Sequence, residues 1–164
     1  LLVLAMFLSL TVFSNKDSSS FYFNQGLFHL YKQKHQVAIP FFEKAVMFDV
    51  KNKKAYNNLG ICHMNLGESQ KAINQYSKAL DVDAKFVQAR YNKAYCMYKL
   101  GQFTEALPEF DRVIKETIDF AKAYFYRGMC QISLNQFKAS CKDLAKAASL
   151  GYVEAEMASE IFCE

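Results

Sequence analysis

Gly26, Gly60, Ala94 and Gly128 follow one another at intervals of 34 residues. The same step links Ala38, Ala72, Ala106 and Ser140, and again Phe42, Tyr76, Phe110 and Leu144. A fourth column holds Ala45, Ala79, Val113 and Ala147, and no register needs an insertion. A fixed period of this length constrains the fold more than any single residue does, because each unit must be one supersecondary element packed on its neighbours. The small-residue column raises a local difficulty. Gly60 lies inside NNLGICHMNLGESQKAINQYSKAL, a run of helix-compatible residues, where glycine costs about 1 kcal/mol relative to alanine. Its recurrence implies that helix backbones nearly touch there, with the larger residues filling the space around them.

Each unit reads as two helices. In the second, Lys54–Leu66 and Ser69–Val82 flank a break at Gly67-Glu68. The third divides at Gly101, between 88–100 and 103–115, and the fourth near Asn135, between 122–134 and 137–150. The first breaks at Lys32–Lys34, between 20–31 and 35–48. Apolar residues recur at three- and four-residue spacing, as in Tyr91, Ala94, Tyr95 and Tyr98, which is a helical face and not strand alternation. Pro40 and Pro108 share a column early in second helices, where they would shape the outer layer locally. The chain is 52% hydrophobic with two prolines and six glycines, so a core can be buried and a loop-rich fold is disfavoured. Twenty basic residues stand against 16 acidic ones, scattered, and no basic cluster marks a nucleic-acid footprint.

Tyr56, Leu59, Gly60 and His63, followed by Gly67, Ala72, Tyr76 and Ala79, resemble the tetratricopeptide repeat consensus. The resemblance implies an all-α, right-handed superhelical solenoid of antiparallel helix pairs. It spans 19–154 as four repeats (19–52, 53–86, 87–120 and 121–154), with a capping stretch from Tyr152 whose end occupies 155–164. Departures from the pattern are Arg90 in an aromatic column, His29 and His63 in a tyrosine column, and no proline at the repeat ends.

Residues 1–18 differ in composition. LLVLAMFLSLTVF is apolar but too short for a comfortable bilayer span, and SNKDSSS reads as a serine-rich linker. The run matches the apolar core of a secretory signal peptide, and the expected location is outside the cytoplasm, periplasmic or secreted. A retained membrane anchor, or an extra apolar helix on the solenoid, is the alternative.

Cys62, Cys96 and Cys130 also recur at the period. Equivalent residues on neighbouring helices lie some 8–10 Å apart, too far for a disulfide, so these thiols read as small apolar filler. Cys141 and Cys163 lie in two segments expected to pack on each other, and in an exported chain they form a candidate disulfide. His29 and His63 read as core residues and not metal ligands. No nucleophile motif, carboxylate pair or phosphate loop is present, so neither enzymatic activity nor a cofactor or metal is expected.

First helices line the concave surface in this family. Asn24, Asn58 and Asn92 form a column there, with Tyr126 in fourth place. An asparagine amide can pair with both polar groups of a peptide backbone, and the column resembles the ladder with which the O-GlcNAc transferase superhelix holds peptides. Asparagine inherited as scaffold is the competing account. Around it the expected face carries Phe23, Leu27, Tyr31, Asn57, Ile61, Met64, Tyr91, Tyr95, Tyr98, Lys122, Phe125 and Met129, types that protein interfaces enrich. The carboxylate clamp by which some relatives grip chaperone C-termini does not fit, because Phe23 and Leu27 stand where its lysine and asparagine belong. The expected partner is therefore an extended, largely uncharged protein or peptide segment in the groove. A structural adaptor using the convex face or the ends, and a membrane-tethered targeting module, are the rivals.

Overall fold

The computed structural model describes residues 15–163. The apolar run and any cleavage point before Asn15 lie outside the described residues. Among the described residues nine helices succeed one another: α1 (Asn15–Tyr31), α2 (His35–Phe48), α3 (Lys53–Asn65), α4 (Ser69–Val82), α5 (Val87–Lys99), α6 (Phe103–Glu116), α7 (Ala121–Ser133), α8 (Phe137–Ser149) and α9 (Val153–Phe162). No strand occurs among the described residues. Odd and even helices pair as four antiparallel hairpins, and each second helix also packs on the next first helix. First helices touch one another, α3 with α5 and α5 with α7, whereas second helices approach less closely. The layer of first helices is therefore the inner side of the stack.

Side chains of the second helix, and not a neighbouring backbone as the sequence reading expected, stand against the small-residue column. A Cβ built on Gly26 would lie 2.6 Å from Phe42 Cε1, and one on Gly60 only 2.4 Å from the same atom of Tyr76. Both rings are fully buried. Gly128 faces the smaller Leu144, whose nearest atoms would stand at 3.4 Å. The penalty of glycine in a helix thus admits an aromatic ring between two backbones.

The hairpin turns repeat as well. Gln33, Gly67, Gly101 and Asn135 share a column and all have positive φ, between 56° and 78°. After α3, the Gly67 N–H reaches Met64 O and the Glu68 N–H reaches His63 O, satisfying the last carbonyls of the helix. Glycine and asparagine suit this conformation, and Gln33 is the one ill-suited side chain.

Two boundaries differ from the sequence reading. Residues 15–18, read as linker, are the first turn of α1. Buried Ser19 is the reason: its hydroxyl donates to Ala45 O at 2.8 Å and accepts from Asn52 Nδ2 at 3.1 Å, tying the helix start to the next hairpin. At the other end, α9 begins at Val153, so the capping helix takes in the last residues assigned to repeat four. Phe120 and Tyr152 precede α7 and α9 at an interval of 32, because α8 and the turn after it are each one residue shorter than α6 and its turn.

Candidate functional site

Four ion-pair groups join the first helices to the second-helix layer. Lys53 pairs with Asp83. Arg90 and Lys93 both reach Glu109, at 2.7 and 3.2 Å, and Arg127 bridges Asp143 and Asp111. Arg90, only 8% exposed, thus explains its departure from the aromatic column: its stem fills the space and its charge is matched. Burial alone would raise the Glu109 carboxyl, but the Arg90 hydrogen bond and the charge of Lys93 outweigh it and hold it below its ordinary value. His63 contacts Glu68 at 2.6 Å, and Lys71 and His63 draw that carboxyl down. These groups are structural, and they leave the opposite face of the first helices free for other contacts.

On that inner face the predicted residues separate into three groups. Asn92 and Asn57 are buried, and Asn92 Nδ2 donates to Asn57 Oδ1 at 3.0 Å across the α3–α5 boundary. Gln88 donates to the remaining Asn92 oxygen at 3.2 Å. The asparagine column is therefore not uniform: Asn24 is exposed and Asn58 half-buried, while the third amide is engaged within the stack. Tyr91 is also buried, 4.7 Å from the Phe120 ring, so it belongs to the core.

The second group is a continuous aromatic surface. Tyr95 lies 4.8 Å from Tyr126, which lies 5.2 Å from Tyr98, and Phe125 lies 4.9 Å from Tyr152 at the entry to α9. All five are half-buried. Burial and the neighbouring phenols of Tyr152, Tyr95 and Tyr91 push the Tyr126 hydroxyl well above its usual range, so it stays protonated. Met129 and Ile61 are half-buried beside this surface and pack partly on the core. Tyr152 was not among the sequence candidates, because its column slips by the two missing residues.

The third group is polar and lies at the other end. Phe23 and Asn24 of α1 line a cleft of about 500 Å³ with Lys16, Lys51, Lys53 and Lys54. Leu27 is 37% exposed nearby on α1, whereas Lys122, exposed at the start of α7, lies at the tyrosine end.

The cysteines divide as their columns suggest. Cys62, Cys96 and Cys130 are buried free thiols, and loss of water pushes them to about 11, 11 and 12 respectively, which keeps them unreactive. Cys141 and Cys163 are joined in a disulfide with Cα atoms 5.5 Å apart, fastening α9 to α8. Among the described residues no group of three or more His, Cys, Asp or Glu is arranged to hold a metal ion. No described helix is long and apolar enough to cross a membrane.

Stacked helical hairpins with an open inner face define a helical-repeat solenoid. Sequence models of the tetratricopeptide repeat match residues 19–50, 54–86 and 88–116, and the chain belongs to that family. No curated protein matches the sequence. Among solved structures, YrrB, described as a tetratricopeptide repeat protein with an unusual peptide-binding site, superposes with a TM-score of 0.79 at 21% identity, over 87% of this chain and 75% of its own. MamA 41-end from Desulfovibrio magneticus RS-1 gives 0.78 at 23% identity, covering 82% and 76%. PilF of Pseudomonas aeruginosa gives 0.75 at 18% identity, covering 83% and 62%. At these identities the likeness is one of fold.

Proposed function

We propose that the inner face of the solenoid binds an extended protein segment, with its firmest anchor on the tyrosine surface of α5 and α7. Tetratricopeptide repeats bind proteins or peptides and are generally non-enzymatic, which supports a binding module. The observation that carries the reading is Tyr95. It is half-buried, with its ring 4.8 Å from Tyr126, 6.4 Å from Tyr98 and 6.3 Å from the edge of the core at Tyr91, and it is not among the residues packed on the core cluster beneath, whereas Tyr98 and Tyr126 are. A rigid amphipathic ring held by neighbours but not needed by the core is a low-entropy contact for a partner. A random-peptide display selection on the folded protein tests this. Selected peptides should lose at least tenfold in affinity to Tyr95→Ala, with the melting temperature nearly unchanged. Equal affinity for wild type and variant would refute the anchor.

The chain is further inferred to act outside the cytoplasm. The apolar run and the Cys141–Cys163 bond support this, since disulfides persist in oxidising compartments. Five free thiols in protein isolated from its native compartment would contradict it.

An adaptor role for the end of the stack has one specific support. Columns filled by buried Ala55, Ala89 and Ala123, and by Cys62, Cys96 and Cys130, hold Phe21 and Phe28 in α1. These rings are 57% and 53% exposed. Terminal repeats ordinarily present a polar outer face. If this end docks a partner helix, Phe21→Ser with Phe28→Ser should abolish that complex and leave groove binding intact.

A further inference from the structure

Beyond Asp17 at the start of α1, the first helices carry no acid. α3, α5 and α7 contain no aspartate or glutamate, while α2, α4, α6 and α8 hold Glu43, Asp81, Glu105, Glu109, Asp111, Glu116 and Asp143. The basic residues of the first helices then split by direction. Lys53, Arg90, Lys93 and Arg127 meet acids of the second-helix layer or the loops. Lys54, at the mouth of the groove, forms no ion pair among the described residues, and neither does Lys16 across the cleft from it. That cleft of about 500 Å³ holds one acid, Asp49, whose Oδ1 already accepts the Lys51 N–H at 2.9 Å. At the α5–α7 end Lys122 occupies the column of Lys54, but the cleft beside Gln88 holds one lysine, Lys85, against one acid, Asp119, so that end carries less positive charge than the four lysines against one acid between α1 and α3.

From these observations we infer that the segment bound in the groove is acidic at one end and aromatic or apolar at the other. Its carboxylates enter the lysine-lined cleft between α1 and α3, and its apolar residues lie on the tyrosine surface of α5 and α7. The inference rests on the groove reading and adds the charge and polarity of the ligand. It also sets a spacing. First helices separated by two repeats lie about 20 Å apart, since packed helices are spaced by 8–10 Å. An extended chain covers that distance in about six residues at about 3.3 Å each. The carboxylates are side chains, because Phe23 and Leu27 stand where the lysine and asparagine of a chain-terminus clamp belong.

The display selection decides it if the peptides carry amidated C-termini. Selected sequences should be enriched in Asp or Glu about six residues from an aromatic or large aliphatic residue. For one selected peptide and its Glu→Gln, Asp→Asn counterpart, Lys16→Gln with Lys54→Gln should weaken the acidic form at least tenfold at low salt and leave the amide form unchanged. Both lysines are exposed, so circular dichroism and melting of the double variant should match wild type. Added salt should weaken the acidic peptide and spare the amide one. A pool without acidic enrichment, or a double variant that binds both forms alike, overturns the inference while Tyr95→Ala still reports on the groove. A selection yielding no peptide would overturn both.

Discussion

The Asn92 side-chain amide donates to the Asn57 side-chain oxygen at 3.0 Å, linking α5 to α3 beneath the inner face. Both residues are at most 7% exposed, so this bond lies within the repeat interface. Asn24, in the same column as Asn92, is exposed. Asn92→Ala should therefore lower unfolding free energy by about 1–3 kcal/mol, the cost of leaving a buried acceptor unpaired. Asn24→Ala should leave it within about 0.5 kcal/mol. Urea denaturation of both variants checks this, and equal losses would mean that the column is uniform after all.

Gly60 and Gly128 occupy one column but face different neighbours. Gly60→Ala would push a methyl group to 2.4 Å from the fully buried Tyr76 ring, which has nowhere to go. The expected loss is about 1–3 kcal/mol. Gly128→Ala meets Leu144 and Asp143 Cβ at 3.4 Å, and a gain of about 1 kcal/mol in helix propensity offsets that contact. Thermal melts should separate the two variants clearly, and destabilisation of similar size in both would contradict the packing account.

The Cys141–Cys163 bond closes a loop with a sequence separation of 22 and holds the final helix over Leu144, Ala147 and Phe125. Chain-entropy arguments give about 3 kcal/mol for a loop of this size. A dithiol reductant, or Cys141→Ser, should lower the melting temperature and speed amide hydrogen exchange in 121–163 before it does so in 19–86. Exchange that rises uniformly along the chain would show that α9 does not act as a cover for the last repeat.

Glu109 has a folded-state pKa below its ordinary 4.5, after the raising effect of burial is outweighed by Arg90 and Lys93. A lowered carboxylate pKa contributes stability that is fully present above the unfolded value and is lost as pH falls through the folded value. Stability should therefore decline as pH drops from about 5 towards 3, and Glu109→Gln should make that decline shallower. The same substitution at neutral pH should destabilise, because it leaves buried Arg90 without its counter-charge. An unchanged pH slope in the variant would assign the acid sensitivity elsewhere.

The repeat, the hairpin pairing and the glycine column were legible in the sequence because each follows from equivalence at one fixed step. What stands opposite those glycines, the rings of Phe42 and Tyr76 and the side chain of Leu144, was not legible, because a column does not show which way a neighbouring side chain points. The same holds for polar side chains. The Asn57–Asn92 bond joins residues 35 apart in different columns, and it removed two of the expected groove contacts. The helix start at Asn15 was not legible, because serine-rich composition outweighed the Ser19 bond to Ala45, which no local pattern reveals. Tyr152 was hidden because α8 and the turn after it are each one residue shorter than their counterparts in the preceding repeat. The absence of acids from α3, α5 and α7 was visible in the sequence, yet it acquires meaning only once Arg90, Lys93 and Arg127 are seen to point away from the groove.

The central claim is that a partner lies along the first-helix layer. Photo-crosslinking tests it most directly, with a benzophenone side chain placed in turn at Tyr95, at Asn24 and at exposed Lys78 on α4. A peptide selected on the folded protein should crosslink from Tyr95 and Asn24 and not from Lys78. Its apolar end should map to Tyr95 and its acidic end to Asn24. Crosslinks from Lys78 with none from Tyr95 would place the partner on the second-helix layer and contradict the account.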